Sequence, residues 1–206
     1  CIYPAASKIP ICETSAHLGY PASDTAYYGI TKKTLHVLAC AMAEEFGLSH
    51  VTVVPTNLYG PHDDFHPDTS HVIAGIILKI FNAKRSGEKE VTLWGDGTPT
   101  RDFLFAEDAA RGIILAGEKY EGTSIINLGS EQEISIKGFS KIIKAISGWA
   151  GKIEFDTSYP DGMPRKVLDV SKLTELGWEA RVLLSKGLTS TYEWFCGAKA
   201  RGEIRE

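Results

Sequence analysis

Residues 23–61 read "SDTAYYGITKKTLHVLACAMAEEFGLSHVTVVPTNLYGP". Ser23 or Asp24 is placed to cap a helix, and Gly47 to end it. Tyr28, Leu35, Leu38, Ala39 and Met42 recur at helical spacing, which predicts an apolar stripe facing a core. Val51–Val54 follows at once. It is β-branched and apolar on both parities, as in a parallel strand buried on both faces. A long helix feeding directly into such a strand is the second half of a β-α-β unit, so the expected fold class is α/β.

The rest of the chain keeps this alternation. Residues 1–24 carry Pro4, Pro10, Gly19 and Pro21 and read as loop. A helix is expected from about Ser70 to Lys84. A short strand in "EVTLW", a Gly/Pro turn and an extended segment then lead to a helix near Ala106. "TSIINLGS" reads as a strand, and "SIKGFSKIIKAISGW" as an amphipathic helix with Ser135 as N-cap. A strand and loop in "KIEFDTSYPDGMPRKVLD", a short helix closed by Gly177 and a terminal helix with a basic end complete the chain. No internal repeat or low-complexity linker occurs.

Bulk properties narrow the function. The 206 residues are 43% hydrophobic and 23% charged, with net charge −4, ordinary for a globular protein. No Lys/Arg excess marks a nucleic-acid or membrane surface. No apolar run is long enough to span a bilayer. Cys1, Cys12, Cys40 and Cys196 are scattered, with no C-x-x-C pair, so reduced thiols in a cytoplasmic protein are expected.

Tyr28 and Lys32 stand one turn apart. Tyr28 is the only tyrosine with lysine at i+4, and on a helix the two share a face. A cation beside a phenol favours the phenolate. Such a pair can give a proton to an oxyanion as hydride reaches a carbonyl carbon. Two solvent-facing residues are the plain alternative. The helix then runs into a strand ending Pro-Thr-Asn and then Tyr-Gly-Pro. That places polar groups at a strand's C-terminal edge, where open α/β sheets bind ligands. A phosphate loop of the G-x-G-x-x-G type is absent; "WGDGTPT" is followed by proline rather than a helix start.

The order Tyr-x-x-x-Lys helix, strand and P-T-N-x-Y-G-P resembles the extended short-chain dehydrogenase/reductase family. "RDFLFAEDAA", residues 101–110, is similar to that family's R-[DE]-F-x-x-x-x-D-x-A segment. It departs near Phe105 and Ala106, where His, Tyr or Val is common. Within the family, "CIYP", "PTNLYGPHDDFHPDTSHV", "VTLWGDGTPTRDFL", "YPDGMPRKVLDVSKLTELGW" and "GLTSTYEWF" resemble the GDP-L-fucose synthase branch across essentially the whole chain.

The resemblance implies the following. The chain is the C-terminal two-thirds of a longer enzyme, whose phosphate loop, first strands and a catalytic serine lie before Cys1. Residues 1–60 and 100–130 are the remainder of a Rossmann-type parallel-sheet domain binding NADP(H). Residues 61–99 and 131–206 form a smaller mixed α/β domain for the GDP-sugar. Tyr28 is the proton donor at C4, with Lys32 favouring its ionised form and holding the nicotinamide ribose. Cys1 and His71 are the acid/base pair that inverts C3 and C5. Both carbons adjoin the C4 ketone, and thiol and imidazole titrate near about 8.5 and 6.5 when free, suited to proton transfer near neutrality. Pro55, Thr56, Asn57 and Leu58, with His71, line the cofactor. Lys79, Trp94, Arg101, Asp161 and Lys166 hold the GDP-sugar. Position 79 is often arginine, and lysine keeps the charge but loses the bidentate fork. A homodimer is expected. The chain alone is expected to bind NADPH weakly. The alternatives are another nucleotide-sugar epimerase, dehydratase or reductase, or a GDP-sugar-binding fragment without chemistry.

"GPHDDFHPDTSH" packs His62, His66 and His71 among Asp63, Asp64 and Asp68. Pro61 and Pro67 keep His62 and His66 off one helical face, and the mixed set fits no defined ligand spacing. This stretch is read as a hydrated acidic loop, and no metal is expected.

Overall fold

The computed structural model describes residues 1–204; the Asp24 side chain, one of the two expected caps, lies outside the described residues, as does Arg205 at the basic end. The first helix, α1, runs Ala26–Phe46 with Thr25 at its N-cap. Gly47, at φ 67°, ends it by donating its N–H to the Ala43 carbonyl at 2.9 Å. This left-handed position suits a residue without a Cβ. The strand expected after it is present as β1, Thr52–Pro55. It pairs in parallel with β5, Ile125–Leu128, in the register Thr52↔Ile125 to Pro55↔Leu128.

At Thr56 the chain changes partners. Thr56 donates its N–H to Leu128 O at 2.8 Å. The next strand, β2 (Asn57–Tyr59), instead runs parallel to β4 (Thr100–Phe105), starting at Asn57↔Phe103. Strand β4 also pairs antiparallel with β6 (Glu133–Ser135) and parallel with β8 (Arg165–Lys166). A separate parallel pair joins β3 (Glu90–Trp94) to β7 (Lys152–Asp156). The helices between them are α2 (Val72–Ser86), α3 (Ala106–Lys119), α4 (Ile136–Ser147), α5 (Ser171–Glu175) and α6 (Leu184–Ala200). The fold is mixed α/β with parallel sheet elements. Ser135 caps α4 as expected, its hydroxyl accepting from Gly138 N at 3.0 Å.

One core lies around α2, whose Ile73, Ile76, Ile77 and Ile80 follow helical spacing, with Phe139 and Ile143 of α4 and Leu188 and Phe195 of α6. A second packs Leu104, Ala109 and Ala116 on Ile126, Leu128, Leu173 and Trp178. A third ties Ile2, Tyr3 and Ile11 to Ile125, Leu168 and Val170.

Three expectations need correction. The apolar stripe of α1 does not face a core: Tyr28 is 59%, Leu35 and Leu38 53%, and Met42 41% exposed. Only Ala26, Gly29 and His36 of this helix are buried. Likewise β1 is half-buried rather than buried, because among the described residues it has one strand neighbour. Periodicity reports that a face is apolar, and cannot say which chain covers it. The first 24 residues are also more ordered than a loop. They hold two 3-10 turns, Glu13–His17 and Ser23–Thr25, and a parallel bridge from Ile11 to Leu168.

Candidate active site

The step from β1 to β2 sets the site. Beside it, Thr56 Oγ1 and Asn57 Nδ2 both donate to the Asp102 carbonyl, at 2.9 and 3.1 Å. Asp102 is itself fully buried. Its carboxylate accepts the Ser130 N–H at 3.0 Å and the Ser130 hydroxyl at 2.5 Å. Burial raises Asp102 from the ordinary carboxylate value, and the Ser130 bonds oppose that rise. The acidic residue of "RDF" is thus a brace, locking the "PTN" turn to the loop after β5.

A cleft opens beside this brace. Its walls include Cys1, Tyr3, Thr25, Asn57, Arg101, Gly162, Met163 and Lys166. Four residues expected in the site therefore meet: Cys1, Asn57, Arg101 and Lys166. Cys1 is exposed, whereas Arg101 is half-buried. Burial lowers Arg101 from its ordinary value, yet a guanidinium keeps its charge in proteins. With Lys166 it makes this wall cationic.

The segment that follows Cys1 is held by a buried hub at Asn127. Tyr3 donates its hydroxyl to Asn127 Oδ1 at 2.5 Å. Asn127 Nδ2 donates to the carbonyls of Ile11 and Asp169, at 2.8 and 2.9 Å. The Asn127 backbone N–H reaches Glu13 Oε1 at 3.1 Å. Burial, reinforced by the charge of Glu13, pushes the Tyr3 phenol well above its ordinary value, so it stays a neutral donor. Asn127 thereby fastens the N-terminal segment to β5 and to the 167–169 segment.

Helix α1 meets the same segment at Gly29. A Cβ there would overlap the Cys1 carbonyl and come within 2.9 Å of Pro21 Cβ. Glycine lets the turn that carries Tyr28 touch the backbone of Cys1. Lys32 Nζ lies 5.2 Å from the Tyr28 ring centre, so the pair shares one face. Neither is among the cleft-lining residues, and nor is His71. His71 is exposed at the N-cap of α2. Its charge acts on Asp63, whose carboxyl is raised mainly by burial. His62 lies against Trp194, with ring centres 4.5 Å apart, and His66 Nδ1 accepts the Asp68 N–H at 3.2 Å.

A third group forms at the end of β3. Trp94 is 65% exposed and stacks on Tyr159, with ring centres 4.6 Å apart and planes 9° from parallel. Lys79 Nζ stands 5.7 Å from the Trp94 ring and donates to Thr92 O at 3.0 Å. Asp161 Oδ1 accepts the Asp96 N–H at 2.8 Å, bracing the turn after Trp94. Residues 159–163 therefore join this aromatic platform to the cationic cleft. Sequence reasoning missed Tyr159. The "YPDGMPRK" run carries a family motif, but stacking on Trp94 needs β3 and the loop after β7 side by side. Pro55 and Leu58 are exposed beside the strand step.

Residues 1–129 match the NAD dependent epimerase/dehydratase family. The chain belongs to that family. This epimerase/dehydratase chain is 39% identical over 195 residues to a probable GDP-L-fucose synthase 1 of Oryza sativa subsp. japonica, covering 95% of the chain and 60% of the relative. It is 39% identical over 204 residues to the GDP-L-fucose synthase of Escherichia coli (strain K12), covering 95% of the chain and 64% of the relative. The structure matches a GDP-L-fucose synthetase from Naegleria fowleri bound to NADP, with TM-score 0.92 and 30% identity, covering 100% of the chain and 66% of that protein. The chain thus spans about 60% of the length of the curated relatives it matches.

Proposed function

We propose that the chain supplies the GDP-sugar site and part of the catalytic set of an NADP(H)-dependent enzyme. That enzyme epimerises C3 and C5 of GDP-4-keto-6-deoxy-D-mannose and reduces its C4 ketone, giving GDP-L-fucose. The observation that carries the reading is the convergence of Cys1, Asn57, Arg101 and Lys166 in one cleft, with the Tyr28–Lys32 helix touching the Cys1 backbone. The names of the relatives supply the substrate class.

Each group then has a task. Arg101 and Lys166 bind the diphosphate, and the Trp94–Tyr159 platform, with Lys79, carries the base. Cys1 and His71 remove and return protons at C3 and C5, which the adjacent ketone acidifies through an enolate. Tyr28 gives a proton to the C4 oxygen, and Lys32 stabilises the phenolate left behind. NADP(H), when bound, supplies the hydride. The exposed Pro55 and Leu58 suit an apolar ring face, and Lys32 suits a ribose hydroxyl. The donor set therefore fits the nicotinamide end.

The proposal includes the division into residues 1–60 and 100–130 for the cofactor and 61–99 and 131–206 for the sugar nucleotide. The core around α2 supports it, since most of its residues fall within 61–99 and 131–206. It includes a homodimer, supported by the open apolar face of α1. It also includes a cytoplasmic location, which suits cysteines that form no disulfide; among the described residues no helix is long and apolar enough to cross a membrane. Calorimetric titration with GDP, UDP and dTDP tests the site. GDP should bind at least tenfold more tightly than the others. Preference for UDP or dTDP would point to another nucleotide-sugar enzyme of the family, and no binding would remove the site.

A further inference from the structure

The cationic wall of the cleft hangs on a strand of two residues. Lys166 belongs to β8, which runs parallel to β4 in the register Thr100↔Arg165 and Arg101↔Lys166. That register sets Lys166 beside Arg101, and both line the cleft. So short a strand has little ladder of its own; the Thr100 N–H meets the Pro164 carbonyl at 2.9 Å where it begins. Side chains alternate faces along a strand, so Thr100 and Arg165 share the face opposite to that of Arg101 and Lys166.

On that face both meet Glu133 of β6. Arg165 Nε donates to Glu133 Oε1 and Oε2, at 2.9 and 3.0 Å, and Arg165 Nη2 donates to Oε2 at 2.8 Å. The Thr100 hydroxyl donates to Oε1. One carboxylate thus ties β6, β4 and β8 together. The bonds from Arg165 and from Thr100 hold Glu133 below the usual carboxylate range, so it is charged near neutrality. The side chains of Glu133 and Arg165 are 27% and 49% exposed. An ion pair so solvated adds little to overall stability, yet a forked guanidinium–carboxylate contact fixes geometry. Its effect falls on the placement of β8 more than on the fold as a whole.

We propose that Glu133 is a positioning residue for the cationic wall: through Arg165 and Thr100 it keeps β8 in the register that seats Lys166 beside Arg101, so that two cations meet one diphosphate. This rests on the reading of the cleft as a GDP-sugar site. Long-range charge alone predicts the reverse sign, because removing an anion beside a cationic cleft favours the binding of another anion. A positioning role makes the same removal weaken binding, since Lys166 is then no longer held at the diphosphate.

Calorimetric titration of GDP into the 206-residue chain tests this. Glu133→Gln should raise the Kd for GDP about fivefold. Lys166→Met should raise it too, and the double variant should bind within about twofold of Lys166→Met alone, because Glu133 acts through Lys166. Exchanging the pair, Glu133→Arg with Arg165→Glu, should bring the Kd back toward that of the unaltered chain. If circular dichroism shows Glu133→Gln to be unfolded, Arg165→Gln takes its place with the same expectations. An unchanged or lower Kd in the folded single variant, or effects of Glu133 and Lys166 that simply add, would overturn the positioning role and leave the cleft's assignment standing. No GDP binding by the unaltered chain would overturn that assignment and the positioning role with it.

Discussion

Replacing Asp108 should unfasten α6 from α3, and the size of the effect follows from three contacts. Asp108 stands in the first turn of α3 and is 1% exposed. Its Oδ2 accepts the backbone N–H groups of Arg181 and Val182, at 2.9 and 2.8 Å. Its Oδ1 pairs with Arg111, whose side chain is 32% exposed. Asp108→Ala leaves both N–H groups without this acceptor, at roughly 1–2 kcal/mol each. Arg111 remains partly solvated, so its loss adds little. The total is about 3 kcal/mol, or a Tm lower by about 6–12 °C in a domain of this size. Asp108→Asn can turn its oxygen toward both N–H groups and loses the charge and the acceptor for Arg111, at about 1–2 kcal/mol. Urea unfolding followed by circular dichroism should rank the unaltered chain above Asn, and Asn above Ala, with an unchanged slope. An alanine cost below about 1 kcal/mol, or an asparagine cost equal to alanine's, would refute the reasoning.

Other predictions concern the platform, acid stability and association. Trp94→Ala removes a stacking face worth about 1 kcal/mol, so the Kd for GDP by calorimetry should rise about fivefold; Tyr159→Ala should do nearly the same. Hydrogen bonds from the Ser171 hydroxyl and N–H hold Asp169 below the usual carboxylate range. A depressed carboxylate contributes stability above its unfolded value of about 3.9 and loses it as pH falls through the folded value. The advantage of the unaltered chain over Ser171→Ala in urea should therefore shrink between about pH 5 and pH 2. Leu35→Glu with Leu38→Glu should shift the sedimentation coefficient from dimer toward monomer, and an unchanged coefficient would remove α1 from the interface.

Much of this architecture was readable because local chemistry and tertiary context agree. Gly47 and Ser135 do at the helix ends what their types favour, and the isoleucines of α2 face the core their spacing implies. Strands β2, β6 and β8 were not readable. They are three, three and two residues long, too short to carry a period, and exist because β4 offers partners. The exposed face of α1 shows the limit of periodicity, since Leu35 and Leu38 look like core residues wherever their covering surface comes from. In the site, Cys1, Arg101 and Lys166 were legible only through long motifs shared with a family. Tyr159 and the Glu133–Arg165 pair depend on segments brought together by the fold, and no spacing announces them. Asp102 and Asp108 lay inside a quoted motif, but the structure gives both carboxylates bracing roles.

The division of labour between Tyr28 and the Cys1–His71 pair is the central claim. It is tested most directly by incubating the intact enzyme with GDP-4-keto-6-deoxy-D-mannose and NADPH in deuterated water, comparing unaltered, Tyr28→Phe and Cys1→Ser forms. Tyr28→Phe should lose NADPH oxidation yet still place deuterium at C3 or C5, while Cys1→Ser should lose the deuterium. Loss of both activities in a folded Tyr28→Phe, or unchanged exchange in Cys1→Ser, would contradict the account.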